Sequence, residues 1–218
     1  METRRFETAS AHQGIAINKV LRNTYMLLAM TLTFAAVVAG TAMAFNLPHP
    51  GLIITLVGFY GLLFAIHKKA NSAMAIPLVF ALTGFMGYTL GPILNAYLGA
   101  GMGDVIAMAF GGTALVFFGL SAYVLITGKD MSFMGGMMQA GFWVILAMFV
   151  ANIFLNIPAL SMALSAVFIL FSSGAILMQT SAIVHGGERN YVLATVTLFV
   201  SLYNIFLSLL SLLGMNND

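Results

Sequence analysis

Residues 191–213, YVLATVTLFVSLYNIFLSLLSLL, run without one charged side chain. As a helix rising about 1.5 Å per residue, the run is about 34 Å long, enough to cross a hydrocarbon layer roughly 30 Å thick. A barrel strand would need only about 10 residues with lipid-facing and lumen-facing positions alternating, and this run is apolar all round. Its backbone groups are then satisfied by intrahelical bonds, as lipid requires. The rest of the chain reads the same way. Of 218 residues, 61% are hydrophobic and 6% charged, where a soluble domain carries about a quarter charged residues. The solvent for such a surface is lipid.

Six further runs stand between polar punctuation: Thr24 to Phe45, Leu52 to Ile66, Ala73 to Leu94, Val105 to Ile126, Phe133 to Leu155 and Ala159 to Val184. Two prolines in Asn46–Pro50 stop the first; His67-Lys68-Lys69, the glycine-rich stretch 98–103, Gly128-Lys129-Asp130, Asn156-Ile157-Pro158 and His185–Asn190 stop the others. The expected fold is an all-α membrane protein, with residues 1–22 a cytoplasmic N-terminal tail and residues 23–214 a seven-helix transmembrane domain. The tail reads as mobile or only partly helical. The first run is longer than a signal-peptide core, so it reads as a span. No internal repeat and no second soluble domain are evident.

With seven spans, Arg4, Arg5, Lys19, Arg22, Lys68, Lys69, Lys129 and Arg189, all the basic residues of the chain, fall on one side. The opposite loops carry only Asp104 and Asp218. The positive-inside rule then puts the N-terminus in the cytoplasm and the C-terminus outside. A net charge of +2 without a basic cluster argues against a nucleic-acid partner. With no cysteine there is no disulfide framework or thiolate site.

The interior offers two polar stripes. On the last span Thr197, Ser201, Asn204, Ser208 and Ser211 recur at steps of 4, 3, 4 and 3, which places them on one face. On the sixth, Ser161, Ser165, Ser172 and Gln179 form a parallel stripe. The tight turn at Gly186-Gly187 makes the two helices antiparallel neighbours. The stripes can be interhelical hydrogen-bond glue, at about 0.6 kcal/mol per pair, or a hydrophilic path; a path is marked best by ionisable groups, and none is present. Small residues at helical spacing, Ala107 with Gly111, Gly136 with Ala140, and Gly84, Gly87 and Gly91, predict close helix packing.

Catalytic signatures are weak. Gly101-Met-Gly-Asp104 matches the GxGD string of intramembrane aspartyl proteases, but Asp130 and Asp218 lie outside the spans and cannot share a proton with Asp104. Asp104 suits a helix N-terminus instead. No GxSxG or HExxH occurs, and His12, His49, His67 and His185 all lie in tails or at span ends. Met131, Met134, Met137 and Met138 cluster near the fifth span, and without cysteine or intramembrane histidine they read as apolar filler rather than a copper site. No catalytic residue, metal site or cofactor is expected.

Val20-Leu-Arg-Asn-Thr-Tyr-Met-Leu-Leu28, Ala114–Tyr123, Lys129–Gly136 and the hairpin of the last two spans resemble the transmembrane Bax-inhibitor family over nearly the whole chain. Gly103-Asp-Val-Ile-Ala-Met108, Ile183-Val-His-Gly-Gly187 and Val200–Phe206 are similar to its bacterial YccA branch, inner-membrane modulators of the ATP-dependent protease FtsH. The resemblance implies a seven-helix bundle with the last helix near the centre. It implies FtsH and its prohibitin-like companion proteins as partners, with the tail as the protease's handle. It also implies an alternative, a calcium leak gated by an aspartate pair, whose positions match Gln179 and Ser201. Neither side chain titrates, so that form of pH gating is not expected here, and a calcium site would have only neutral oxygens.

Overall fold

The computed structural model describes the backbone of residues 2–155 and 157–215, and the side chains of residues 16–155 and 157–215. Seven helices follow one another: α1 (Glu2–Ala44), α2 (Leu52–Lys69), α3 (Ala75–Gly99), α4 (Gly103–Thr127), α5 (Gly135–Leu155), α6 (Pro158–Val184) and α7 (Tyr191–Met215), with one 3-10 turn at Ser132–Met134. All seven are long and apolar enough to span a membrane, and no strand occurs among the described residues. The fold class read from the sequence stands. The backbone of the tail is helical from Glu2, continuous with α1. Extending an existing helix avoids the cost of nucleating one. The side chains of Arg4, Arg5 and His12 lie outside the described residues, as do Asn156 and the Asp218 end.

Local chemistry explains the ends. Asn46 closes α1 with φ 49°, and Leu47 N donates back to Ala42 O at 2.9 Å; asparagine tolerates the left-handed conformation this C-cap needs. Gly128 ends α4 at φ 61°. Pro158 starts α6, where its missing N–H leaves nothing unsatisfied. The third helix outruns the expected Leu94 because its polar continuation is partnered: Asn95 Nδ2 donates to Met43 O at 2.9 Å, and Tyr97 OH to Leu210 O at 3.1 Å.

The last helix is the axis. It packs against α1, α3, α4 and α6, and Ala194, Thr195, Leu198, Phe199, Ile205 and Leu210 are almost wholly buried. By contrast α2 packs chiefly on α3, and α5 on α6 and the 3-10 turn. Each buries a single residue, Ile66 or Ile145. Much of the rest of their apolar surface, including Ile53, Phe64, Trp143 and Phe154, is exposed, as a lipid-facing surface requires.

The closest seam joins the parallel helices α1 and α3. A Cβ at Gly87 would strike the backbone of Ala35. One at Gly91 would lie 2.5 Å from Ala42 Cβ and 2.9 Å from Ala39 O, and one at Gly84 would lie 2.7 Å from the Phe34 ring. Ala35, Ala39 and Ala42 are buried against this strip. The backbones approach because neither side carries bulk, and dispersion contacts replace the hydrophobic drive that lipid removes.

The other two small-residue pairs do not pack. Ala107 and Gly111 on α4, and Gly136 and Ala140 on α5, are exposed on the outer surface, and nothing lies within 4 Å of a Cβ built at Gly111 or Gly136. Spacing places such residues on a common face; only a partner helix makes that face a seam.

Candidate functional site

The two stripes meet at one point. Ser165 Oγ donates to Ser211 Oγ at 3.4 Å, the sole side-chain hydrogen bond between α6 and α7 among the described residues. Stepping equally along the antiparallel helices from that pair makes Ser172 level with Asn204 and Gln179 level with Thr197. Ser201 then stands opposite Ala175, about 6 Å along the axis from Gln179 at about 1.5 Å per residue. The positions matching the family's aspartate pair are therefore not side by side.

Most hydroxyls on the stripes serve their own helix. Ser165 donates to Ser161 O (3.0 Å), Thr197 to Leu193 O (3.1 Å) and Ser201 to Thr197 O (2.8 Å). Ser161 reaches outward, to Asn152 Oδ1 of α5 at 3.1 Å. Ser208 is buried on the same face of α7. Back-bonding to the preceding turn satisfies a hydroxyl without tying helices together.

Among the described residues, six buried side-chain atoms have no hydrogen-bond partner: Thr24 Oγ1, Tyr25 OH, Ser121 Oγ, Ser172 Oγ, Gln179 Nε2 and Thr180 Oγ1. An unmet buried group costs about 1–3 kcal/mol. Six of them cost about as much as the whole stability of an ordinary domain, about 5–15 kcal/mol. Only Ser172 and Gln179 belong to the stripes; the other four face them from α1 and α4 or flank them on α6.

A second polar constellation closes the end of the bundle that carries the α4–α5 and α6–α7 loops, and the sequence reading missed it. Ser181 Oγ accepts from Met131 N (2.9 Å) and donates to Lys129 O (3.3 Å). His185 Nδ1 lies 2.9 Å from Ser181 O and Nε2 3.1 Å from Gly128 O, and a ring N–H on either side donates to the carbonyl it faces. Together they clasp the α4–α5 loop onto the end of α6. Asn190 does the same for the α2–α3 loop: Oδ1 caps Val192 N at 2.9 Å, while Nδ2 donates to Ala70 O at 3.0 Å and Asn71 Oδ1 at 2.9 Å.

The same loop holds Asp130. The backbone N–H of Ser132 (2.8 Å), then its hydroxyl and more weakly the nearby His185, lower the Asp130 carboxyl below its ordinary 3.8, with burial acting slightly the other way. A carboxyl lowered by folding stabilises the loop above the unfolded value and loses that contribution as pH falls through the folded value. Acidification below about pH 4 is therefore expected to lower the protection of the Ser132 amide relative to its intrinsic exchange rate at the same pH, and Asp130→Asn to lower it already at neutral pH. Protection unchanged in both cases would rule this out.

The comparisons with known proteins bear on the whole bundle. A family model described as Inhibitor of apoptosis-promoting Bax1 matches residues 17–218. The chain belongs to the Bax inhibitor family. An Escherichia coli K12 relative in that family, named Modulator of FtsH protease YccA, is 66% identical over 200 residues, 92% of this chain and 91% of the relative. A Pseudomonas aeruginosa relative without a described function is 57% identical over 91% of this chain and 90% of its own. A Vibrio cholerae membrane protein is 41% identical over 97% and 96%. Within this family frame, the central placement of α7 expected from the resemblance is what the structure has.

Proposed function

We propose that the chain is not an enzyme but an inner-membrane protein that binds and restrains the ATP-dependent protease FtsH, which grips its cytoplasmic N-terminal tail. The observation that carries this reading is the 66% identity, over nearly the full length of both chains, to a protein named as an FtsH modulator. A second relative of equal identity is named an inner membrane protein. The orientation follows the basic residues, with the tail in the cytoplasm and the C-terminus in the periplasm.

The geometry supports a mechanism. The tail is continuous with α1, and α1 is seated on α3 through backbone-to-backbone contact at Gly87 and Gly91. A protease pulling on the tail pulls on one side of the closest helix–helix seam of the bundle. A substrate that resists extraction occupies the machine and slows its turnover of others. Lipid-facing α2 and α5 offer surface for FtsH or for its prohibitin-like companions.

The calcium-leak alternative gains nothing from the site. Gln179 and Ser201 are neutral and stand about a turn apart by the register above, whereas calcium takes 6–8 oxygens, several of them from carboxylates.

The test is co-purification with FtsH from detergent-solubilised membranes, combined with the half-life of an unrelated FtsH substrate during overproduction of this chain. FtsH in the eluate and a lengthened half-life are expected. An eluate free of FtsH with an unaltered half-life would defeat the reading.

A further inference from the structure

The start of α1 and the α6–α7 turn border a cavity of about 560 Å³, lined by Lys19, Val20, Asn23, Glu188, Arg189 and Tyr191 among others. One hydrogen bond fixes its depth in the membrane. Thr195 Oγ1 donates to Thr24 O at 3.2 Å, and α1 and α7, six reversals apart along the chain, run the same way. One turn back on each helix, Val20 is level with Tyr191 and Lys19 with Asn190. Thr24 opens the apolar run of α1 and Tyr191 that of α7. The cavity therefore sits where hydrocarbon gives way to headgroups, the level of a phospholipid phosphate.

The lining supplies donors that lack acceptors. Among the described residues, the Lys19 ammonium, the Asn23 amide and the Tyr191 hydroxyl form no hydrogen bond or ion pair, and Arg189 donates only through Nε, to Gly186 O at 3.4 Å. Glu188 is the one acid of the lining. Its Oε1 accepts from Asn190 N at 2.7 Å, which holds the carboxylate to its own turn and leaves the two cations in excess.

We infer that this cavity binds the headgroup of an anionic phospholipid, its phosphate held between Lys19 and Arg189 and its remaining oxygens met by the Asn23 amide and the Tyr191 hydroxyl. Arginine offers paired N–H groups to phosphate oxygens and lysine a compact charge, and basic pockets between spans take such headgroups. A lipid enters sideways from the bilayer with its acyl chains still in hydrocarbon. A zwitterionic headgroup brings a cation of its own against the two in the wall. The N-terminal tail is a poor substitute, since residues 1–15 set Glu2 and Glu7 against Arg4 and Arg5 and offer no net anion. The inference goes beyond the FtsH reading and is independent of it, because its readout needs no protease.

Thermal melting of the purified full chain in dodecyl maltoside, titrated with dioleoylphosphatidylglycerol, reads binding as a rise in melting temperature. Dioleoylphosphatidylcholine is expected to need about tenfold more lipid for half the rise. Lys19→Gln combined with Arg189→Gln is expected to raise the half-saturating phosphatidylglycerol about thirtyfold, and each single variant about fivefold. Lys68→Gln combined with Lys69→Gln removes the same charge from the end of α2, outside the cavity, and is expected to change it less than about threefold. All four side chains are exposed, so melting without lipid is expected to be unchanged. Inorganic phosphate in excess is expected neither to raise the melting temperature alone nor to displace the lipid. Equal weakening by the two pairs would mean diffuse attraction to the basic face and would overturn the site. Equal response to phosphatidylcholine, displacement by inorganic phosphate, or a response that appears only once residues 2–15 are removed would overturn it as well.

Discussion

Gly87→Val is expected to lower the melting temperature of the purified protein by about 10 °C, or to prevent its accumulation. Overpacking typically costs about 1–3 kcal/mol and occasionally more, and for a chain of about 200 residues each kcal/mol is about 2–4 °C. The upper end applies because the group met by the new side chain is the backbone of Ala35, which cannot swing aside as a side-chain tip can. Helix propensity pushes the other way, since valine is better than glycine in a helix interior; a loss therefore reports packing alone. Gly111→Val is the control. It adds the same side chain where nothing lies within 4 Å and is expected to stay within about 0.5 kcal/mol. Equal melting of the two variants would remove the α1–α3 seam from the account. In cells, the Gly87 variant is also expected to be degraded faster by FtsH, because a loosened plug is easier to draw out.

Deleting residues 2–15 is expected to abolish both degradation of the chain by FtsH and its restraint of the protease. The apolar run of α1 begins near Thr24, so the deletion leaves the membrane-crossing part of the bundle whole. Pulse-chase in cells with and without the protease reads the first effect, and the half-life of a second substrate reads the second. Fluorescence-detected gel filtration of the shortened chain confirms an intact bundle. Degradation and restraint both surviving would show that FtsH is held by the membrane helices instead of the tail.

The spans were legible in the sequence because they rest on the hydrocarbon thickness, a one-dimensional property. Partnerships were not. Gly87 and Gly111 look alike as small residues at helical spacing, yet one meets Ala35 and the other meets lipid. The central position of α7 came from the family resemblance, since a polar stripe on one face of an apolar helix does not say how many neighbours surround it. The stripes follow from residue spacing, but their register depends on the length of the turn at residues 185–190; a few residues there decide whether Gln179 meets Ser201 or Thr197. The extension of α3 past Leu94 and the Ser181/His185 clasp were invisible for a shared reason. Each depends on polar partners about 50 to 115 positions away, and no local pattern names a distant carbonyl.

The α1–α3 seam ascends in step, Ala35 against Gly87 and Ala42 against Gly91, so the two helices run in the same direction. A tug on the leading end of α1 acts along this line, loading every contact at once in shear instead of peeling them apart in sequence. Rupture then demands the summed strength of the whole interface, with each methyl forced to climb past a neighbouring backbone before α1 can slip by one turn. A molecular motor that advances in short steps meets its greatest resistance at the first stroke.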